Sequence, residues 1–133
     1  MQTRYFTVAE VVAIHRRTIG AMVLLRSEAL LESAIQRCQS VAYYGGADLV
    51  EQAVLLAVDI SQNQPFLDRN KRTALYALVA FLQMNGVRYV DDRLELARQL
   101  IAMAEREGSL DTATERFVGW LRARVVDIPQ DER

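Results

Sequence analysis

The sequence predicts an all-α protein, a compact orthogonal bundle of about six helices with at most one short extended hairpin. Three observations predict it. Apolar residues recur at three- and four-residue steps in six successive segments. Helix-start residues stand immediately before several of those segments. The segments are separated by short breaks rich in Gly, Asn and Pro, with no internal repeat and no linker.

Taken in order, Thr7-Val-Ala-Glu10 has the spacing of a capping box, and Val8, Val11, Val12 and Ile14 give an apolar side to a helix reaching about Ile19. Ser27 caps a second helix with Leu30, Leu31, Ala34 and Ile35 on one face, and Tyr43-Tyr-Gly-Gly46 reads as a turn or plain loop. Asp48 caps a third, apolar enough through Leu49, Ala53, Leu56, Ala57 and Ile60 to be central. Gln62-Asn-Gln-Pro65 interrupts it, because proline disfavours helical backbone in the residue before it. A fourth helix begins near Asp68 to Asn70 and is apolar nearly all round to Met84, where Asn85-Gly86 ends it. Val87 to Val90 reads as a short extended segment. Asp91 or Asp92 then caps a fifth helix that stops at Gly108. The sixth runs from about Asp111 to Val125 and buries Phe117, Trp120 and Leu121. A single domain over 1–133 follows, with its core at about 5–125 and a loose tail from Pro129.

Composition narrows the function. The 133 residues are 51% hydrophobic and 25% charged, a globular balance that needs no disulfide or structural metal. The formal charge of −1, from 16 basic and 17 acidic side chains, gives no general steering toward nucleic acid. Cys38 is the only cysteine and His15 the only histidine, so a metal site must rest on oxygen ligands, the magnesium or calcium type. Neither a signal peptide nor a membrane span is legible, and the expected location is cytoplasmic.

The chemistry concentrates in Gln64-Pro-Phe-Leu-Asp-Arg-Asn-Lys-Arg-Thr73, one carboxylate and three cations between two apolar helices. The start of the fourth helix offers unpaired backbone N–H groups to this loop. With the positive end of the helix dipole and Asn70, Lys71 and Arg72, they describe a phosphate cradle. Asp68 suits a magnesium ion bridging nucleotide phosphates or a hydroxyl to be positioned. Phe66 reads as a core anchor for the loop. The same composition also suits a capped helix start with a solvated charge run, so these residues alone name no nucleotide.

The segment resembles the signature of the Fic/Doc family, His-x-Phe-x-Asp/Glu-Gly/Ala-Asn-Gly/Lys-Arg, and more closely that of its Doc, or death-on-curing, branch. Here it reads Gln64-Pro65-Phe66-Leu67-Asp68-Arg69-Asn70-Lys71-Arg72, followed by Thr73-Ala74-Leu75 and by Phe81-Leu82-x-x-Asn85-Gly86. Upstream, Thr7 to Val12 with His15 is similar to the branch's Thr-x-x-x-Val/Ile-Leu-x-x-His. Arg26-Ser-Glu-Ala-Leu-Leu-Glu-Ser-Ala34 is similar to its Arg-Asp-x-x-Leu-Leu-Glu-Ser-Ala. The resemblance implies a Fic/Doc-like fold. It also implies ATP and Mg2+ as cofactors, with Arg69, Asn70, Lys71 and Arg72 at the phosphates and Asp68 at the metal and the acceptor hydroxyl. A lysine at the place of Lys71 accompanies, in Doc proteins, a reversed nucleotide pose and transfer of the terminal phosphate. The implied activity is that of a toxin kinase acting on a Ser/Thr hydroxyl of a translation factor, elongation factor Tu. The implied antagonist is a small antitoxin whose helix covers the cleft.

Two positions depart from the signature. Gln64 stands where the family has its catalytic histidine, and a glutamine amide has no useful basic lone pair near neutral pH. The expectation is therefore an enzyme weakened or silenced at Gln64. A non-catalytic nucleotide- or antitoxin-binding relative and a toxin inactivated by an engineered His-to-Gln change are the alternatives. His15 is expected to be structural, hydrogen-bonded to a loop. Arg69 replaces a Gly or Ala, and its side chain either adds a phosphate contact or fills the cradle.

Overall fold

The computed structural model describes residues 2–20, 25–129 and 131. The described residues form six α-helices and one two-stranded antiparallel hairpin. The elements are α1 (Val8–Ile19), α2 (Glu28–Gly45), α3 (Leu49–Asn63), α4 (Asn70–Met84), β1 (Val87–Tyr89), α5 (Arg93–Ala104), α6 (Leu110–Arg122) and β2 (Val125–Asp127). The fold is thus the all-α bundle that the sequence implies.

Helix starts follow local chemistry. Thr7 and Glu10 form a reciprocal capping box on α1. The side chains of Ser27, Asp48, Asp92 and Ser109 each accept a backbone N–H of the first turn of α2, α3, α5 and α6. Only α4 lacks a side-chain cap. Its start lies inside the motif.

The apolar helices α3 and α4 pack along each other at the centre, with α2 and α6 against α3, and α1 and α5 against α4. On α3, ten consecutive or near-consecutive positions from Val50 to Ser61 are buried, and Ala74, Ala77, Leu78, Phe81 and Leu82 of α4 meet them in one cluster with Val11, Leu31, Leu96, Phe117 and Leu121. The charged exception on α3 is Asp59, whose buried carboxylate takes a 2.6 Å bond from Arg37 on α2.

Three boundaries differ from expectation. Tyr43, Tyr44 and Gly45 continue α2, and it is Gly46 that adopts the left-handed cap, at φ 68°. The sixth helix ends at Arg122, not near Val125. Val125–Asp127 instead pairs with β1 in the register Val87↔Asp127, Arg88↔Val126 and Tyr89↔Val125. Trp120 is half-buried and not fully enclosed, with Arg124 over its ring at 4.4 Å. The expected loose tail falls largely on residues outside those described. No helix among the described residues is long and apolar enough to cross a membrane.

Candidate functional site

The motif loop is the link between the two central helices. Helix α3 ends at Asn63, and Gln64 follows as a left-handed cap (φ 52°, ψ 63°) with its N–H bonded to the Ile60 carbonyl. Pro65 and Phe66 turn inward and are buried. The chain arriving at α2 is laid against them. Leu25 and Phe66 form an isolated antiparallel bridge, and the N–H groups of Arg26 and Ser27 both donate to the Pro65 carbonyl, at 2.7 and 2.9 Å. Arg26 also donates through its side chain, from Nε to the Gln64 carbonyl (2.6 Å) and from a terminal nitrogen to the Asn63 carbonyl (2.5 Å).

Asn70 closes the other side. Its Oδ1 accepts the Phe66 N–H at 3.0 Å and its Nδ2 donates to the Phe66 carbonyl at 2.8 Å, so both atoms of the buried amide are engaged by one backbone unit. Between Phe66 and Asn70 the loop bulges to solvent through Leu67, Asp68 and Arg69. Arg69 sits at φ 60°, ψ 31°, a left-handed conformation that strains a residue with a Cβ. Glycine would adopt that backbone without strain, whereas alanine, which has a Cβ, would not.

Asp68 is 82% exposed. It accepts the Arg69 N–H at 2.7 Å, and the Arg69 guanidinium lies 3.8 Å from its other oxygen. Lys71 and Arg72 are exposed in the first turn of α4. The first amides of that helix have no side-chain acceptor, so backbone donors and three cations, Arg69, Lys71 and Arg72, share one solvent-facing corner. Free amides at a helix start, with cations beside them, are the general chemistry of an anion site. Among the described residues no cluster of three or more His, Cys, Asp or Glu is preassembled for a metal. Asp68 fits a magnesium ion that arrives with phosphates and keeps much of its water, the usual manner of that ion.

Beneath the corner lies His15. Its ring stacks on Phe66 with centroids 3.8 Å apart and 10° between planes, and Nδ1 is 2.7 Å from the Thr73 hydroxyl oxygen. Burial lowers its pKa. The Asp68 carboxylate pulls the value back up and the Arg69 guanidinium pushes it down. The imidazole is therefore neutral near pH 7, a ring with a basic nitrogen.

That placement corrects the expectation built on Gln64. The chain keeps an intact histidine in contact with the motif, and a loss of the catalytic histidine, with an enzyme weakened or silenced through Gln64, does not stand. Gln64 is an exposed residue whose carbonyl is held by Arg26. The sequence reading named Arg26 and His15 but not their partners. Arg26 lies 38 residues before the carbonyl it holds, and His15 lies 58 residues before Thr73. Only the Ser27 cap hinted that this junction was structured. Tyr43 and Tyr44, by contrast, stand near the far end of an 18-residue helix whose start touches the loop, roughly 23 Å along its axis.

Fold and site together define a helical protein with an uncapped, basic helix start that faces solvent. Comparison with known proteins makes the class specific. The Fic/DOC family model matches residues 5–82. The chain is 30% identical over 127 residues to the "Toxin Doc" of Mycolicibacterium smegmatis, covering 91% of this chain and 96% of that protein. It is 33% identical over 116 residues to the "Protein kinase doc" of Escherichia phage P1, covering 84% and 91%. The chain belongs to the Fic/DOC family, and of these two Doc relatives one is named a toxin and the other a protein kinase.

Proposed function

We propose that this protein is a Doc-type kinase, the toxin of a cytoplasmic toxin–antitoxin pair. In this reading it transfers the terminal phosphate of ATP to a Ser or Thr hydroxyl of a translation factor resembling elongation factor Tu. The observation that carries the reading is the uncapped start of α4 with Arg69, Lys71 and Arg72 around it. Phosphoryl transfer asks a protein mainly for positioning and for charge stabilisation, and this corner is built for both.

Arg72 and Lys71 hold the phosphates from the first helical turn, with Arg69 approaching from the loop. Asn70 contributes its backbone N–H, since its side chain is committed to Phe66. Asp68 faces solvent, where it would orient the acceptor hydroxyl and would hold a magnesium ion, which would supply neutralisation of phosphate charge. The hydroxyl oxygen forms the new bond to the terminal phosphorus, the bond to the bridging oxygen breaks, and ADP leaves. His15 is the imidazole to which the hydroxyl proton goes. A tautomer that donates Nδ1–H to the Thr73 hydroxyl would leave the lone pair on Nε2. A small antitoxin that lays a helix over this corner would block both ligands at once.

The deciding experiment supplies ATP labelled at the terminal phosphate, magnesium and purified elongation factor Tu. The parent protein labels the factor, Arg72→Ala does not, and His15→Ala is slower by about 10²–10⁴-fold while still binding ATP. No label above a blank from the parent overturns the reading. If His15→Ala loses ATP binding and folding together, the ring's role is to seat Phe66, and the proton acceptor lies elsewhere.

A further inference from the structure

We propose that Arg26 is a positioning residue for the phosphate corner, a clamp that fixes the loop without touching either substrate. The inference rests on the kinase reading above, and its geometry stands apart from that reading. Three donors of this one residue reach three successive carbonyls of another part of the chain. The backbone N–H takes Pro65, Nε takes Gln64 and a terminal nitrogen takes Asn63.

Those carbonyls lie where α3 must turn into the motif. Asn63 is the last residue of α3 and Gln64 the left-handed residue after it. A helix C-terminus leaves carbonyls without intrahelical donors and carries the negative end of the dipole, so a guanidinium there satisfies both demands. The planar fork matters as much as the charge, because its two N–H groups reach adjacent carbonyls in one geometry, which an ammonium does not reproduce. Gln64 has a Cβ and no glycine-like tolerance of φ 52°, and the clamp on its carbonyl is one of the contacts holding it there.

From that hinge the consequence runs directly to the site. Gln64 sets the direction of Pro65 and Phe66, Phe66 is gripped by Asn70, and Asn70 opens α4. Releasing Arg26 frees one end of a loop whose other end carries the phosphate-facing amides. Small misplacements of positioned groups cost a phosphoryl-transfer site far more than they cost a fold. The exposed side chain of Arg26 lies against the loop's entry, and the cradle is at its exit.

The test compares the parent with Arg26→Ala and Arg26→Lys by amide hydrogen exchange and by calorimetry with ATP–magnesium. In Arg26→Ala the Phe66 amide exchanges at least roughly tenfold faster while Leu78, in the middle of α4, keeps the parent rate, and ATP affinity drops by about tenfold. Arg26→Lys, which keeps the charge and loses the fork, lies between the two and serves if the alanine variant does not fold. Parent-level exchange at Phe66 in the lysine and alanine variants overturns the clamp, as does equal acceleration at Phe66 and Leu78, which signals loss of global stability alone. Parent-level ATP affinity with a loosened loop overturns its role in positioning. If the parent itself binds no ATP, the kinase reading fails, and the exchange comparison still decides whether Arg26 holds the loop.

Discussion

His15 and Phe66 lie face to face, 3.8 Å between ring centroids, and this stack ties the first helix to the floor of the motif loop. Burial disfavours the charged form, so the resting ring is neutral. The unfolded chain takes up a proton near the ordinary value of 6.5, whereas the folded chain resists until a lower pH. Between those values the unfolded state binds more protons, so stability rises with pH through that window. The contribution is complete above 6.5 and is lost as pH falls through the folded-state value. Urea melts of the parent and His15→Gln, taken from about pH 7.5 to about pH 5, should therefore converge as the pH drops. A stability gap that stays constant would show that the imidazole does not titrate in this range.

Asn70 grips Phe66 by two hydrogen bonds. Replacing it with alanine leaves an N–H and a carbonyl of a buried residue unpaired, each worth about 1–3 kcal/mol where water cannot reach. Some water will enter, so Asn70→Ala is expected to cost about 2–4 kcal/mol in chemical denaturation. Asn70→Asp keeps the acceptor for the Phe66 N–H but turns a second acceptor toward the Phe66 carbonyl, and should recover only part of that loss. Full recovery by aspartate would mean that the bond to the Phe66 carbonyl contributes nothing.

Arg69 gives a prediction in which stability and binding part company. A left-handed residue with a Cβ costs about 1–2 kcal/mol, and glycine returns part of that through its larger entropy in the unfolded chain. The ion pair with Asp68 is exposed and 3.8 Å long, too weak to offset the difference. Arg69→Gly should stabilise the protein by roughly 0.5–1 kcal/mol, visible as a higher melting temperature. In the kinase reading the same change removes a phosphate contact, so ATP binds more weakly to a more stable protein. Lower stability would show that the side chain holds the loop in a way its single ion pair does not reveal.

Much of this was legible because it is local. Thr7 with Glu10, Ser27, Asp48 and Asp92 announce helix starts within three residues of themselves, and the apolar runs on α3 and α4 mark the centre. The motif's charged residues were legible as a group, since they are contiguous. What the sequence withheld depends on distant partners. The sixth helix reads by pattern to about Val125, whereas Val125–Asp127 forms a strand on the edge that β1 offers far earlier in the chain. Tyr43 and Tyr44 look like turn residues beside two glycines, yet only Gly46 takes the left-handed cap. The place of His15 under Phe66 followed from no local signal. The helix carrying it had to be docked on α4 before its ring could be counted with the motif. The left-handed backbone at Gln64 and Arg69 was equally hidden, because neither residue type calls for it.

Two arginines test how burial sets the worth of an ion pair. Arg122 bonds Asp48 at 2.9 Å and Glu51 at 3.1 Å, with all three side chains roughly half exposed. Water screens such pairs, and Arg122→Ala should cost less than about 1 kcal/mol, with less effect still in high salt. Arg37 makes one bond, but its partner Asp59 is only 8% exposed. Burial raises the Asp59 pKa, and the charge and hydrogen bond of Arg37 hold that rise in check. Without Arg37 the carboxylate is left buried and uncompensated, which costs about 2–3 kcal/mol near pH 7 after allowance for the half-exposed guanidinium. The folded variant then favours a protonated Asp59 more strongly than the unfolded chain does. Its stability falls as pH rises through the interval from the ordinary value of 3.8 to the raised folded value, and is regained below it. The penalty of Arg37→Ala should therefore shrink as the pH is lowered toward 4. A small, pH-independent loss in Arg37→Ala would mean that Asp59 is hydrated and that the α2–α3 contact rests on its apolar residues alone.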